Sequence, residues 1–414
     1  MHLAPVAWHV THWGSDPWSR GSWTSLGVGG STADRATVGT PVDGRFVLAG
    51  DATNPVAPSM THGAYDEGVR AARWAVDGGA RRIAVIGAGF AGLGAARTAT
   101  DLGADVVVLE ARDRIGGRAH TVDLGSGVHA DAGAAWLQQG PTNSLARLAE
   151  QWGLRTVPTD FHHPLAAASD GPVGDVPAAH AALAAHLATT PADATVADVL
   201  PAYLAGLPPH ERRAAQFAVD LELELENPAP AHLLGARTAL DEPGVGVGDR
   251  WLPDGYAAIQ RRLADGIDIR LGTPVCGIDW HADGVDIRTA DGDVLRVDRC
   301  ICTIPVWLVP ELDLEPGLPD GHLAALRRLV PGVVEKVVLR FDERWWPVSP
   351  SGYLRWYDHP ASWGEWLDLT DGVGAPVVAG LIAGTAVARH HRGDDERIAL
   401  AATAALARWA ASIT

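Results

Sequence analysis

IAVIGAGFAG, residues 83–92, is the stretch of sequence from which the fold of this chain can be predicted. Its first four residues are an apolar run typical of a buried parallel strand. A helix-forming stretch, 93–102, follows the glycines, and an apolar run, 105–109, then predicts a second buried strand that ends at Glu110. In such a βαβ unit the glycines let the backbone approach a pyrophosphate at the helix N-terminus, and the acid accepts hydrogen bonds from a ribose. The predicted dinucleotide contacts are Gly87, Gly89, Phe90, Ala91, Gly92 and Glu110. A glycine-rich turn that binds nothing is the alternative.

A second glycine-rich stretch, EARDRIGGRAHT at 110–121, follows directly. Its main-chain N–H groups and guanidinium groups are suited to a pyrophosphate. Together with DAGAAW at 131–136, it resembles the extended FAD fingerprint of the flavin amine oxidase family, which includes monoamine oxidases, polyamine oxidases and flavin histone-lysine demethylases. The resemblance implies further FAD contacts from Ala111, Arg112, Gly117, Arg118, Gly133, Ala134, Ala135 and Trp136.

In that family the fingerprint opens the chain, but here about 80 residues precede it. Residues 13–23, WGSDPWSRGSW, resemble the family's tryptophan-led segment beside the flavin. Residues 46–53, FVLAGDAT, resemble a late strand ending in Ala-Gly-Glu, with Asp51 in place of the glutamate. Residues 59–72 resemble the closing helix, whose N-terminus points at the flavin pyrimidine. The contacts that these segments imply are Trp13, Trp18, Gly50, Asp51, Met60, Thr61 and Ala64.

This segment order predicts a circular permutation, in which residues 77–80 join the family's usual ends and new ends open just before Pro5. Surface termini that lie close together make such a rearrangement feasible. The expected fold class is α/β plus α+β: a Rossmann-like FAD-binding domain with an inserted substrate-binding domain, in a circularly permuted amine oxidase fold. The predicted FAD-binding parts are 1–76, 81–154 and 251–304, and the predicted substrate parts are 155–250 and 305–414, with a final helix at 396–412. The rival arrangement is a domain swap in which 1–76 complete the site of a second chain.

Residues 155–249 are predicted to be helical with proline breaks, and 217–228 resemble a cavity-flanking helix of the polyamine oxidase and demethylase branch. The glutamates of LELELE, 221–226, could attract a cationic substrate, but a solvated helix face is the interpretation that we favour. Residues 267–304 alternate apolar and polar residues and predict a strand meander. Val275 falls where the family's backbone meets the adenine.

Lys336 is the one lysine among 33 basic residues. Its surroundings, EKVVLRFDERWW at 335–346, resemble the family's lysine-bearing strand. In the family this lysine holds a water against flavin N5 and supports hydride removal and reoxidation. A cation at that place would stabilise charge that develops on the flavin, and the alternative is an ordinary exposed lysine.

Three departures from the family pattern concern the flavin and the substrate. Two aromatic rings often frame the amine in the family; here Trp23 matches one wall and Met60 takes the place of the other. Ser22 stands where monoamine oxidases attach their flavin through a cysteine, so FAD is expected to bind non-covalently. Asp51 is one methylene shorter than the usual glutamate, which would alter a contact to the ribityl chain.

Composition excludes several classes of protein. A hydrophobic fraction of 47% and a mean hydropathy of +0.03 suit a soluble globular chain. We expect no membrane span and no secretory signal. The three cysteines, Cys276, Cys300 and Cys302, are too few for a disulfide framework or a zinc site, so a reducing cytoplasm is expected and no metal. A net charge of −17 argues against nucleic acid and weakly favours cationic partners.

The resemblance therefore implies an FAD-dependent amine oxidase acting on CH–NH bonds. A hydride passes from the carbon next to the amine to FAD, which gives an imine and, with dioxygen, hydrogen peroxide. Its partners would be a small amine and dioxygen, with a homodimer as one option. One alternative is an L-amino-acid oxidase or an FAD-dependent desaturase; a buried arginine facing the flavin would favour the former and an all-apolar tunnel the latter. The other alternative is a non-catalytic flavin-binding scaffold.

Overall fold

The computed structural model describes residues 4–138, 142–240 and 248–413. Its strands are β1 (Ala7–Val10), β2 (Trp23–Leu26), β3 (Phe46–Leu48), β4 (Arg82–Ile86), β5 (Asp105–Leu109), β6 (Thr121–Asp123), β7 (His129–Asp131), β8 (Trp136–Leu137), β9 (Val157–Pro158), β10 (Leu165–Ala168), β11 (Arg250–Trp251), β12 (Asp268–Arg270), β13 (Val275–His281), β14 (Gly284–Thr289), β15 (Val294–Val297), β16 (Arg299–Cys302), β17 (Asp313–Glu315), β18 (Leu329–Gly332), β19 (Val334–Arg340), β20 (Tyr353–Tyr357), β21 (Glu365–Asp368) and β22 (Val377–Ala383). Its α-helices are α1 (Thr32–Val38), α2 (Thr61–Asp77), α3 (Phe90–Asp101), α4 (Ser144–Gln151), α5 (Val176–Ala188), α6 (Val196–Gly206), α7 (Pro209–Ala218), α8 (Glu224–Glu226), α9 (Ala257–Ala264), α10 (Asp320–Leu326), α11 (Thr370–Val373), α12 (Gly384–His390) and α13 (Asp395–Ile413).

A five-stranded parallel sheet contains the fingerprint, in the order β12-β5-β4-β16-β3. Its central strands are apolar runs buried on both faces, as expected where helices cover a parallel sheet. Helices α2 and α3 pack against each other and share the core of the sheet. The predicted strands at 83–86 and 105–109 are confirmed, and the strand at 46–48 lies in the same sheet.

Helix α3 begins at Phe90, three residues before the predicted start at 93. The prediction began the helix only after the glycine-rich stretch 87–92, and glycine has a low helix propensity. In the structure Gly92 lies where a Cβ atom would be 1.8 Å from the Gly87 carbonyl oxygen. Glycine is therefore required for close packing of the helix on the preceding turn, and this requirement outweighs its low helix propensity.

A second, six-stranded sheet has the order β1-β19-β22-β21-β20-β10. Helix α13 packs on one face of this sheet, with Trp409 fully buried. This helix confirms the one predicted at 396–412. The other face carries a row of directly paired residues, Lys336, Leu381, Glu365 and Arg355, from four successive strands.

Two predictions of secondary structure are wrong in part. The predicted meander at 267–304 exists only as β13, β14 and β15, because β12 and β16 at its ends join the parallel sheet. Alternation marks a strand with one face buried, and it does not identify the sheet to which a strand belongs. The described parts of 155–249 contain helices α5 to α8 but also β9 and β10, and β10 pairs with β20. Of the helices in the described ranges, none is long and apolar enough to cross a membrane.

Candidate flavin and amine site

One cavity of about 740 Å³ begins at the carboxyl ends of β4 and β5 and extends to the face of the six-stranded sheet opposite α13. Ligands commonly bind at this edge of a parallel sheet. The structure brings 23 of the predicted site residues to its wall: Trp13, Trp18, Trp23, Gly50, Asp51, Met60, Thr61, Ala64, Gly87, Gly89, Phe90, Ala91, Glu110, Ala111, Arg112, Gly117, Arg118, Gly133, Ala134, Ala135, Trp136, Val275 and Lys336. Gly92 does not line the cavity, and the structure gives it a packing role against Gly87, so its contact with a cofactor stays a prediction.

The fingerprint turn depends on glycine at two positions. Gly87 has a φ of +96°, a region that favours glycine. Gly89 is the N-cap of α3 and has no capping side chain, and a Cβ atom at Gly89 would meet no other atom within 4 Å. The Glu110 carboxylate, 6% exposed, accepts hydrogen bonds from the main-chain N–H groups of Ala88 at 2.6 Å and Arg112 at 2.9 Å. The helix N-terminus and this carboxylate therefore face a common space.

Two predicted pyrophosphate ligands, Arg112 and Arg118, already have carboxylate partners. Arg112 donates two hydrogen bonds of 2.7 Å to Asp16. Arg118 donates to Asp51 at 2.5 Å and to the Ser22 carbonyl at 2.6 Å. Both ion pairs join the N-terminal segment to the fingerprint segment, so these arginines position the cavity wall as well as lining it.

Lys336 is 4% exposed, which excludes the reading as an ordinary surface lysine. Its Nζ donates to the main-chain carbonyls of Gly133 at 2.5 Å and Asp131 at 3.2 Å. The ammonium also lies 4.9 Å from the centroid of the Trp136 ring. Burial lowers the pKa of Lys336 to about 8, and the Asp131 carboxylate opposes this change.

The residues of the predicted aromatic frame line the same cavity. The Trp23 indole donates to the Glu226 carbonyl at 3.2 Å, and Met60 is the N-cap of α2. That Trp23 and Met60 face each other stays a prediction. The Ser22 hydroxyl is hydrogen-bonded to the carbonyl and the N–H of Val334, so this side chain joins the segment to β19.

An acidic arm of the cavity, which we define by Glu222, Glu226, Arg355 and Glu365, is formed by the helical segment 219–226 and by strands β20 and β21. Arg355 donates two hydrogen bonds, of 2.8 and 3.0 Å, to Glu365 and one of 2.6 Å to Glu222. The solvated helix face favoured from the sequence is therefore wrong for Glu222, which is paired inside the cavity wall. A π-helical turn at Val219–Leu223 explains the error, because its extra residue changes the face that each later side chain occupies.

Glu226 lies in the acidic arm without a guanidinium partner at hydrogen-bonding distance in the described structure, and the His180 imidazole lies 3.9 Å away. The Glu226 side chain is 48% exposed and lines the cavity. Burial, and then the negative charge of Glu222, raise the pKa of Glu226 to about 7.

Several residues of the site were not identified from the sequence. Glu335 accepts hydrogen bonds from the Thr11 hydroxyl and from the main-chain N–H groups of Trp13 and Gly14, so it holds the tryptophan-led segment against β19. Asp131, Arg355 and Glu365 were missed because their partners lie far away in the sequence. A buried charged residue inside an apolar strand, as at Glu335 and Glu365, was the available signal.

The sequence matches the family model described as flavin containing amine oxidoreductase over residues 2–75, 90–225 and 202–413. The chain belongs to this family. It is accordingly a flavin-dependent oxidoreductase that oxidises an amine.

Among curated relatives of this amine oxidoreductase, polyamine oxidase 4 of Oryza sativa subsp. japonica is 30% identical over 73% of this chain and 67% of the relative. Lysine-specific histone demethylase 2 of Homo sapiens is 28% identical over 77% of this chain, which spans only 42% of that relative. Among solved structures, wild-type putrescine oxidase bound to putrescine has a TM-score of 0.62 at 21% identity, covering 80% of this chain and 81% of the other. This last likeness concerns the fold.

Proposed function

We propose that this amine oxidoreductase is an FAD-dependent oxidase of a primary amine that carries a second cationic group. The single observation that carries the proposal is the position of the acidic arm, in the same cavity as the FAD fingerprint and Lys336. Putrescine and the polyamines named for the relatives have the chemistry that such a cavity would accept.

FAD fits the first part of the cavity. Gly50 and Gly89 line it, and a Cβ atom at either position would meet no other atom within 4 Å, which leaves open space beside the backbone. Glu110 would bind the adenosine ribose, the N-terminus of α3 the pyrophosphate and the N-terminus of α2, at Thr61, the flavin pyrimidine.

Bound FAD would supply the hydride acceptor, and dioxygen would take up the electrons with release of hydrogen peroxide. The chain's own residues orient the amine and exclude water. Trp23, Met60 and Tyr353 line the cavity as large apolar surfaces. Lys336 provides a fixed positive charge in a dry wall, where it has the most effect on charge that develops nearby.

The acidic arm argues against the two catalytic alternatives. An amino-acid oxidase needs a guanidinium group for the substrate carboxylate, but Arg355 already binds Glu222 and Glu365. A desaturase for apolar substrates would have an apolar tunnel, whereas three carboxylates line the acidic arm of this cavity. With all three ionised and one guanidinium present, the arm attracts cations.

The proposal is tested by steady-state kinetics with a linear diamine and the monoamine of the same length, measured through peroxide release. The diamine should have the higher kcat/KM, and Glu226→Gln should remove most of that advantage while the monoamine is little affected. Glu224→Gln is the matched control, because Glu224 lies on the same short helix but bonds to Thr385. Equal kcat/KM for the two amines would contradict the substrate class. A lack of flavin bleaching by any amine would favour the non-catalytic scaffold.

We also propose that FAD is bound non-covalently. The supporting observation is that Ser22 is hydrogen-bonded to β19 at the position where a cysteine would be needed for attachment. Heat or acid denaturation should release a yellow flavin with the mass of FAD into the supernatant. Flavin that precipitates with the protein would contradict this binding mode.

We further propose that the fold is a circular permutation of the family's usual order, with the FAD-binding parts 1–76, 81–154 and 251–304 and the substrate parts 155–250 and 305–414. Strand β3 lies in the same parallel sheet as β4, and α2 ends only five residues before β4 begins. The N- and C-terminal segments of this chain, which would be continuous in the family's usual order, are also compatible with being joined. His12 and Asp395 are in contact at 2.7 Å, and α13 packs along β1. From that contact, about 26 Å of extended chain leads to Ala4 and about 27 Å of helix leads to Ile413.

The ion pairs Asp16–Arg112 and Asp51–Arg118 support completion of the site within one chain rather than by a domain swap. Co-expression of Lys336→Met and Trp23→Ala chains provides the test. A swapped homodimer would rebuild one intact site from the two variants and recover activity. Unswapped chains would show no more activity than the single variants, and this is the outcome we expect.

A further inference from the structure

Asp131 is a buried carboxylate directly behind the wall of the cavity. It is 6% exposed, and the next two residues, Ala132 and Gly133, line the cavity. Its carboxylate accepts hydrogen bonds from the Thr121 hydroxyl at 2.5 Å and from the Tyr256 main-chain N–H at 3.1 Å. Its main-chain carbonyl accepts the hydrogen bond from Lys336. The residue therefore contacts the lysine through its backbone and presents a fixed charge close to it.

Burial of either charge alone would be costly, and the two opposite charges offset part of that cost. Burial raises the pKa of Asp131 to about 6, while the Thr121 hydroxyl, the Lys336 charge and the Tyr256 N–H oppose the change. Burial lowers the pKa of Lys336 to about 8, and the negative charge of Asp131 opposes this lowering. Both groups are therefore ionised between about pH 6 and pH 8.

We propose that Asp131 is a positioning residue for Lys336: it holds the ammonium group through its main-chain carbonyl and keeps that group charged through its carboxylate. The inference rests on the proposed function in one respect, that Lys336 faces a bound flavin. Asp131 itself does not contact the reacting groups.

Charged groups on the other elements around Lys336 have partners of their own. On β19, Glu335 is hydrogen-bonded to the tryptophan-led segment. Across the sheet, Leu381 of β22 is the residue paired with Lys336, and beyond it Glu365 and Arg355 bind each other. After β3, Asp51 is paired with Arg118. Asp131 is thus the carboxylate whose charge supports the lysine.

Tyr256 offers a matched control within the same network. Its hydroxyl donates to the Trp136 carbonyl at 2.7 Å and so accepts a hydrogen bond from the Thr61 hydroxyl at 3.1 Å. Tyr256→Phe removes both of these contacts but keeps the main-chain N–H that Asp131 uses. It disturbs the packing behind the cavity without changing the charge near Lys336.

The experiment measures the reduction potential of the flavin bound to the holoenzyme against reference dyes from pH 6 to pH 9.5. In the natural protein, loss of the lysine charge should produce an inflection near pH 8. We expect Asp131→Asn to move this inflection down by about one pH unit or more, because a neighbouring opposite charge is lost.

Two control variants accompany this test. Tyr256→Phe should move the inflection by no more than a few tenths of a unit, and Lys336→Met should remove it. Asp131→Asn combined with Lys336→Met should match Lys336→Met alone, since Asp131 acts through the lysine.

An inflection that is lost in Lys336→Met but unmoved in Asp131→Asn would overturn this inference alone. An inflection that survives in Lys336→Met would overturn both the role of Lys336 in the proposed function and the inference. If Asp131→Asn does not retain flavin, Thr121→Val replaces it in the test. That variant removes a hydrogen bond that favours the Asp131 carboxylate, so the inflection should move in the same direction by a smaller amount, and an unmoved inflection would again overturn the inference.

Discussion

Both the sequence and the structural surroundings of Lys336 indicate that this side chain has a specific role. Its rarity in a chain rich in arginine pointed to a specific role. Two carbonyl groups and an aromatic ring hold its ammonium group in a wall with little water. An arginine there would remain charged at every pH, whereas a lysine has a charge that burial can adjust.

Lys336→Met should leave flavin bound, because methionine has a similar length and suits a buried place. Bleaching of the flavin by the amine, or its recolouring by dioxygen, should slow by about tenfold or more, since a preorganised charge is lost. Stopped-flow absorbance separates the two half-reactions. Unchanged rates in a variant that retains flavin would remove Lys336 from the active site.

Glu226 predicts a pH dependence of substrate binding. Because its pKa is raised to about 7, its carboxyl group is largely neutral below that pH and negative above it. The ratio of KM values for the diamine and the matched monoamine should therefore fall several-fold as the pH rises from 6 to 8. Taking the ratio cancels protonation changes that the two amines share. A ratio that is flat in the natural protein, or that stays steep in Glu226→Gln, would contradict the assignment.

At the scale of elements, Gly89 and Gly92 in the first turn of α3 have different tasks. A Cβ atom at Gly92 would clash with the Gly87 carbonyl oxygen, whereas at Gly89 it would enter the open cavity. Gly92→Ala should lower the free energy of unfolding by about 3 kcal/mol or prevent folding, because backbone atoms would have to move. Gly89→Ala should unfold at nearly the natural temperature but contain less flavin. Thermal unfolding and flavin absorbance measure the two effects, and identical behaviour of the variants would refute the distinction.

The βαβ unit could be predicted because all its information lies within thirty consecutive residues. The acidic arm could not, because Arg355 and Glu222 are 133 positions apart and pair only once the sheet and the π-helical turn are formed. The same reason hid the carboxylate partners of Arg112 and Arg118. Sequence patterns thus identified which segments surround the cavity, but they did not identify which charges are already neutralised inside it.

At the scale of the whole molecule, the proposed permutation predicts that the family's usual order is also viable. A chain that begins at residue 81 and carries residues 4–80 after a short linker behind residue 413 should fold and bind flavin. The contact between His12 and Asp395 is the reason for this expectation, because it brings a residue of the N-terminal segment against the first residue of the final helix. Flavin content and thermal unfolding would be compared with those of the natural order. A rearranged chain that is insoluble or free of flavin with every linker tried would count against the permutation.

The position of β3 in the parallel sheet also matters for how the protein is made. In the finished sheet β3 pairs with β16, whose residues lie about 250 positions later in the chain. At synthesis rates of about 5–20 residues per second, β3 leaves the ribosome some 13–50 s before its partner exists. During that interval the apolar segment that forms β3 has not yet gained the strand with which it pairs in the finished sheet. The arrangement therefore creates a period of vulnerability to aggregation during translation, in which molecular chaperones would have the most to contribute.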